Sequence, residues 1–107
     1  MINPSIHTLL PEVRQHLADI YGDRLARVVL YGSQARGEAH AESDVDVLVV
    51  LYGAYDLYAE TKRLVRLQTD LLDRHGLLVS FQPFAEEEYQ DLSRPLMINV
   101  HAEGIEL

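Results

Sequence analysis

Asp44 and Asp46 stand one residue apart at the head of an apolar run, residues 47–51. Strand side chains alternate between faces, so the two carboxylates point one way while Ser43 and Val45 point the other. The run VLVVL is apolar on both faces, the pattern of a strand covered on both sides. Two carboxylates at the mouth of such a strand are oxygen ligands that converge on a hard divalent cation such as Mg²⁺. Without a cation between them they repel each other. The two residues alone also fit a polar start to an edge strand, with both side chains in water. Upstream, Gly32 and Ser33 offer a tight turn, a hydroxyl and backbone N–H groups at a helix start, which together suit a phosphate. A metal site facing an anion cradle points to a nucleoside triphosphate, and the combination favours the metal reading.

The elements that must hold these residues follow from the flanking sequence. Residues 27–31 are short, β-branched and apolar, a buried strand that delivers the chain to Gly32. Residues 33–37 make a helical turn or two, and a polar loop then leads to the aspartates. Arg36 can reach a phosphate through its guanidinium fork or pair with a local carboxylate such as Glu38. Glu38, His40 and Glu42 in the loop are solvated charges with no assigned chemistry.

Before this unit, Leu10, Val13, Leu17 and Ile20 form one stripe of a helix over residues 5–21. Pro11 is tolerated in a first turn, so the helix starts near Thr8 or bends at Pro11. His7 and His16 have no neighbours at metal-ligand spacing and read as surface histidines. After it, Asp56 caps a helix over residues 57–75, with Leu57/Tyr58, Thr61, Leu64/Val65, Gln68, Leu71/Leu72 and His75 at helical spacing. Tyr52, Tyr55 and Tyr58 read as core aromatics with wet hydroxyls rather than a base-stacking platform. Lys62, Arg63 and Arg66 concentrate positive charge on this helix. They suit a triphosphate or an acidic partner, against the default of a solvated face. Residues 77–84 are a third strand, with Leu78, Ser80 and Gln82 on one face. Glu86, Glu87 and Glu88 open a short helix. Ser93 and Pro95 start a last helix, with Leu96, Ile98 and Val100 as its apolar contacts, before Ile105 and Leu107 tuck in.

The 107 residues suffice for one core, so the expectation is a single domain, 1–107, of α/β class: a small mixed β-sheet packed by helices. With 17 acidic against 9 basic residues the net charge is −8, which repels an extended duplex and argues against long nucleic acid as a partner. Cysteine is absent, so disulfides, thiolate metal sites and a thiol nucleophile are excluded. No stretch has the apolar length of a membrane span or the core of a signal peptide, and a soluble cytoplasmic protein is expected.

Gly32-Ser33, ten intervening residues and then Asp44-Val45-Asp46, with Ala35, Arg36, Gly37 and Ser43 at matching places, resemble the signature of the minimal nucleotidyltransferases of the DNA polymerase β-like superfamily. The final stretch, RPLMINVHAEGIEL, is similar to the tails of small nucleotidyltransferase-domain proteins. The resemblance implies the nucleotidyltransferase fold, with the active site at one edge of the strand ends. It implies Mg²⁺-dependent transfer of AMP from ATP to a hydroxyl. Asp44 and Asp46 would hold one or two metals, and Gly32, Ser33 and Arg36 would bind the nucleotide's phosphates. Such proteins often act as antitoxins that bind a helical HEPN-type toxin and AMPylate a tyrosine on it. One departure stands out: the superfamily usually adds a third acid on a later strand, and here the corresponding place falls at Ser80, with no Asp or Glu from 77 to 85. The alternative is therefore an antitoxin that keeps nucleotide and partner recognition but neutralises by binding alone.

Overall fold

The computed structural model describes residues 4–36 and 44–107, apart from the side chains of residues 4–6, 33 and 34. Strands β1 (Leu25–Tyr31), β2 (Val45–Leu51), β3 (Val79–Ala85) and β4 (Ile105–Glu106) form one sheet in the order β3-β2-β1-β4. β2 is antiparallel to β1 and parallel to β3, and β4 is antiparallel to β1. The sheet is thus mixed, as expected. Helix α3 (Leu57–His75) is the crossover that the parallel β2–β3 pair requires. The short helix α2 (Ser33–Arg36) follows β1 directly.

β2 lies inside the sheet, and Val45, Val47, Leu48, Val49, Val50 and Leu51 are wholly buried. Val45, Val47, Val49 and Leu51 join one apolar cluster with α3 and with α1 (Pro4–Tyr21). Leu48 and Val50 join a second with Tyr89 of α4 (Glu86–Tyr89) and with Met97 and Val100 of α5 (Pro95–Glu103). Helices cover both faces, so the strand carries no polar alternation beyond its mouth. At about 1.5–3 kcal/mol for each fully buried Val or Leu, β2 is a firmly anchored element. An edge-strand reading of Asp44 and Asp46 does not hold.

Several expectations shift. α1 begins at Pro4 and runs through Pro11, not from Thr8. Proline suits the first helical position, and the exposed Pro11 ring costs one backbone hydrogen bond that the packing of Leu9, Leu10, Val13, Leu17 and Tyr21 offsets. Ile20 is 40% exposed, because the residue one turn beyond Leu17 on the buried face is Tyr21. The buried face of α3 is Glu60, Leu64, Leu67 and Leu71, and Leu57, Tyr58, Val65 and Leu72 face solvent. In α5 the inward residues are Met97 and Val100, whereas Leu96 and Ile98 are exposed. Arg94, not Ser93, precedes Pro95 as the cap; the Ser93 hydroxyl donates to Asp91 Oδ1 at 2.6 Å. The chain end forms an unexpected strand, β4. It is brought against β1 by Gly104, where a side chain would run into the Val100 carbonyl and a Val29 methyl.

Candidate active site

The strand register assembles the site. Asp46 in β2 is paired across the antiparallel ladder with Tyr31 and across the parallel one with Ser80. Paired residues share a face, so Tyr31, Asp46 and Ser80 lie side by side at one end of the sheet, on the side that carries Leu48, Val50 and α5. Asp44 sits just before β2 and is exposed, while Asp46 is partly buried. The Val45 N–H donates to the Leu78 carbonyl at 2.9 Å, which fastens the residue between the two acids to the approach to β3.

Gly32 follows Tyr31 with φ +75°, in the left-handed region. A Cβ at this position would lie 2.6 Å from Asp46 Oδ2, so the carboxylate rests against the backbone of the turn. The Arg36 N–H donates to the Gly32 carbonyl at 3.2 Å and closes the turn into α2. The backbone of Ser33 therefore begins a helix beside Asp46; its side chain is outside the described atoms. Glu38, His40, Glu42 and the motif positions Gly37 and Ser43 lie outside the described residues.

Burial first, and the charge of Asp44 second, push the Asp46 carboxyl above the usual carboxylate range. Burial and then Asp46 push the Tyr31 phenol up in turn. A cation relieves both stresses. No group of three His, Cys, Asp or Glu side chains gathers among the described residues. Two carboxylates nevertheless fit Mg²⁺, which is commonly bound through one or two carboxylates together with the substrate's phosphates.

Arg36 Nη1 donates to Glu103 Oε2 of α5 at 3.2 Å, with both side chains part-exposed. Among the described residues its carboxylate partner is thus remote in sequence, and Glu38 lies outside them. A screened pair of this kind is worth about 0–1 kcal/mol. Tyr31 and Glu103 carry no signal in the sequence: one depends on the hairpin register, the other on how α5 docks. Of the three tyrosines near α3, Tyr55 packs on the core and donates to Glu88 Oε1 at 2.9 Å, while Tyr52 and Tyr58 are exposed.

A family model described as "Nucleotidyltransferase domain" matches residues 10–101, which include Gly32, Ser33, Asp44, Asp46 and Ser80. The chain belongs to this nucleotidyltransferase family. Two curated relatives come from Methanocaldococcus jannaschii. "Putative protein adenylyltransferase MJ0141" is 32% identical over 67% of this chain and 72% of its own length. "Putative protein adenylyltransferase MJ1305" is 30% identical over 70% of this chain and 52% of its own. Among solved structures, "a putative nucleotidyltransferase from Sulfolobus solfataricus" has a TM-score of 0.67 at 21% identity, covering 95% of this chain and 80% of that one. A structure described as "the toxin-antitoxin with AMP-PNP" has a TM-score of 0.61 at 22% identity, covering 87% and 68%. These likenesses show the nucleotidyltransferase fold. Among the described residues no helix is long and apolar enough to cross a membrane.

Proposed function

We propose that this nucleotidyltransferase transfers AMP from ATP to a hydroxyl with the help of Mg²⁺, and that the acceptor is a tyrosine of a partner HEPN-type toxin, which the protein silences as a cytoplasmic antitoxin. The observation that carries the reading is the seating of Asp46 against Gly32 at the mouth of an internal strand. It puts a fixed carboxylate beside the turn that would receive phosphate. Asp44 and Asp46 would hold the metal, which when bound draws charge off the triphosphate as pyrophosphate leaves. The backbone N–H groups after Gly32, with Ser33, would bind phosphate oxygens, and Arg36 would exchange Glu103 for the nucleotide. The names of the curated relatives support adenylyl transfer to protein. The toxin-antitoxin structures, among them one described as "the toxin-antitoxin MntA-HpeT", support a toxin partner.

Incubation of the copurified pair with ATP and Mg²⁺ should raise the partner's intact mass by one or more AMP units. An unchanged mass in a pair that binds ATP would reject transfer. A second reading rests on Ser80, which holds the place parallel to Asp46 with a hydroxyl where the resemblance leads one to look for an acid. In that reading the protein binds nucleotide and partner and neutralises without transfer.

A further inference from the structure

Helix α3 presents a second apolar line on the side opposite its buried face. Tyr58, Val65 and Leu72 are 71%, 50% and 44% exposed and recur every seven residues. Lys62 and Thr69, also exposed, fill the places between them. The line 58-62-65-69-72 therefore alternates steps of four and three, the spacing of a seam that packs a second helix. At 1.5 Å per residue it is about 21 Å long, enough for a partner helix of about four turns.

The charge beside the seam selects the occupant. Three of the chain's nine basic residues, Lys62, Arg63 and Arg66, fall here in a chain of net charge −8. With Tyr58, Thr61 and Val65 they line an open groove of about 520 Å³. Lys62 Nζ stands 5.2 Å from the centre of the Tyr58 ring and Arg63 is held by Glu60 at 2.9 Å. Arg66 has no ion-pair partner among the described residues. A second copy is a poor occupant. Antiparallel about Val65 it would set Arg66 against Arg66, and parallel it would set Lys62 against Lys62.

We propose that the outward face of α3 docks an acidic amphipathic helix of the partner protein. This rests on the partner reading above and says where the partner sits. The inward residues of α3, Leu64, Leu67 and Leu71, pack on the sheet face of Val45 and Val47, whereas Asp46 belongs to the other face. Docking on α3 leaves the nucleotide site open, so affinity for the partner and affinity for Mg·ATP are separable.

The test coexpresses the chain with the product of the neighbouring gene and measures the affinity of the purified pair for wild type, Val65→Asp and the double variant Lys62→Glu/Arg66→Glu. These side chains are exposed, so both variants should melt close to wild type. Partner affinity should fall at least about thirtyfold in each, as for a central interface residue, with Mg·ATP affinity within about twofold of wild type. Undiminished partner binding by both folded variants overturns the docking site and leaves the partner reading intact. Absence of any complex with wild type overturns the partner reading and the docking site with it. A dimer of this chain alone that Val65→Asp dissociates also overturns the proposal, in favour of a second copy.

Discussion

Asp46 Oδ2 lies so close to the α-carbon of Gly32 that a methyl group there would meet it at 2.6 Å. Gly32 also has φ +75°, where an L side chain costs about 1–2 kcal/mol. Both effects act at one position. Gly32→Ala should destabilise the protein by about that amount and displace the carboxylate, lowering Mg·ATP affinity at least about tenfold. Calorimetric titration beside a thermal melt checks this. Undiminished affinity in the Ala variant would separate Asp46 from the nucleotide site.

The same carboxylate is stressed before any ligand arrives, because burial and then the Asp44 charge disfavour its ionised form. A carboxyl group whose folded pKa is raised lowers stability at neutral pH, where it is ionised. Asp46→Asn should therefore leave the metal-free protein as stable as wild type or more so. The variant, and Asp44→Asn with it, should lose the gain in ATP affinity that Mg²⁺ gives over EDTA. Equal ATP affinity for wild type with and without Mg²⁺ would reject the metal site.

Much of this site is legible in the sequence because its parts are local. The Gly-Ser turn, the spacing to the aspartates and the doubly apolar run each follow from nearby residues, and β2, α2 and the bounds of α3 fall where they are expected. What escapes depends on distant partners. The spacing in α3 fits either the line through Tyr58, Val65 and Leu72 or the one through Leu64, Leu67 and Leu71, and an acid at position 60 argues against burying the latter. Glu60 is buried nonetheless, because Arg63 at 2.9 Å and Arg24 at 3.3 Å compensate its charge, and Arg24 comes from the turn before β1. Likewise β4 exists because Gly104 admits a close approach to β1, which its two residues alone do not signal.

Arg27 fastens β1 to the helical layer behind the site. Its Nη2 donates to Glu86 Oε1 at 2.7 Å and its Nε to Oε2 at 3.1 Å, and its guanidinium lies 4.9 Å from the Tyr89 ring centre. Arg27, first among the causes, holds the Glu86 carboxyl below its ordinary value of 4.5. Stability from a depressed acid is present above the unfolded value and is lost as pH falls through the folded one. Glu86→Gln should cost about 1.5–3 kcal/mol at pH 7, and the gap to wild type should close as pH falls below about 4.5. Denaturant melts across that range that kept a constant gap would show that the ion pair is not its source.

Ser80 is the parallel neighbour of Asp46 and shares its face, so a carboxylate introduced there would join Asp46 beside the Gly32 turn. If transfer is limited by the want of a third acid, nucleotide binding through Asp44, Asp46 and the turn is intact while activation of the acceptor hydroxyl is slow. The lack of such a group typically costs ~10²–10⁴ in rate. Ser80→Asp should then speed AMP transfer to the partner at least about tenfold in single turnovers, with ATP affinity changed much less. A third acid also adds repulsion, so the metal-free variant should melt lower than wild type and recover more on addition of Mg²⁺. The two readouts separate the possibilities. Recovery with Mg²⁺ but no gain in rate would place position 80 in the metal shell and the missing activation elsewhere, in a group that the partner supplies. A folded variant showing neither would put position 80 outside the site.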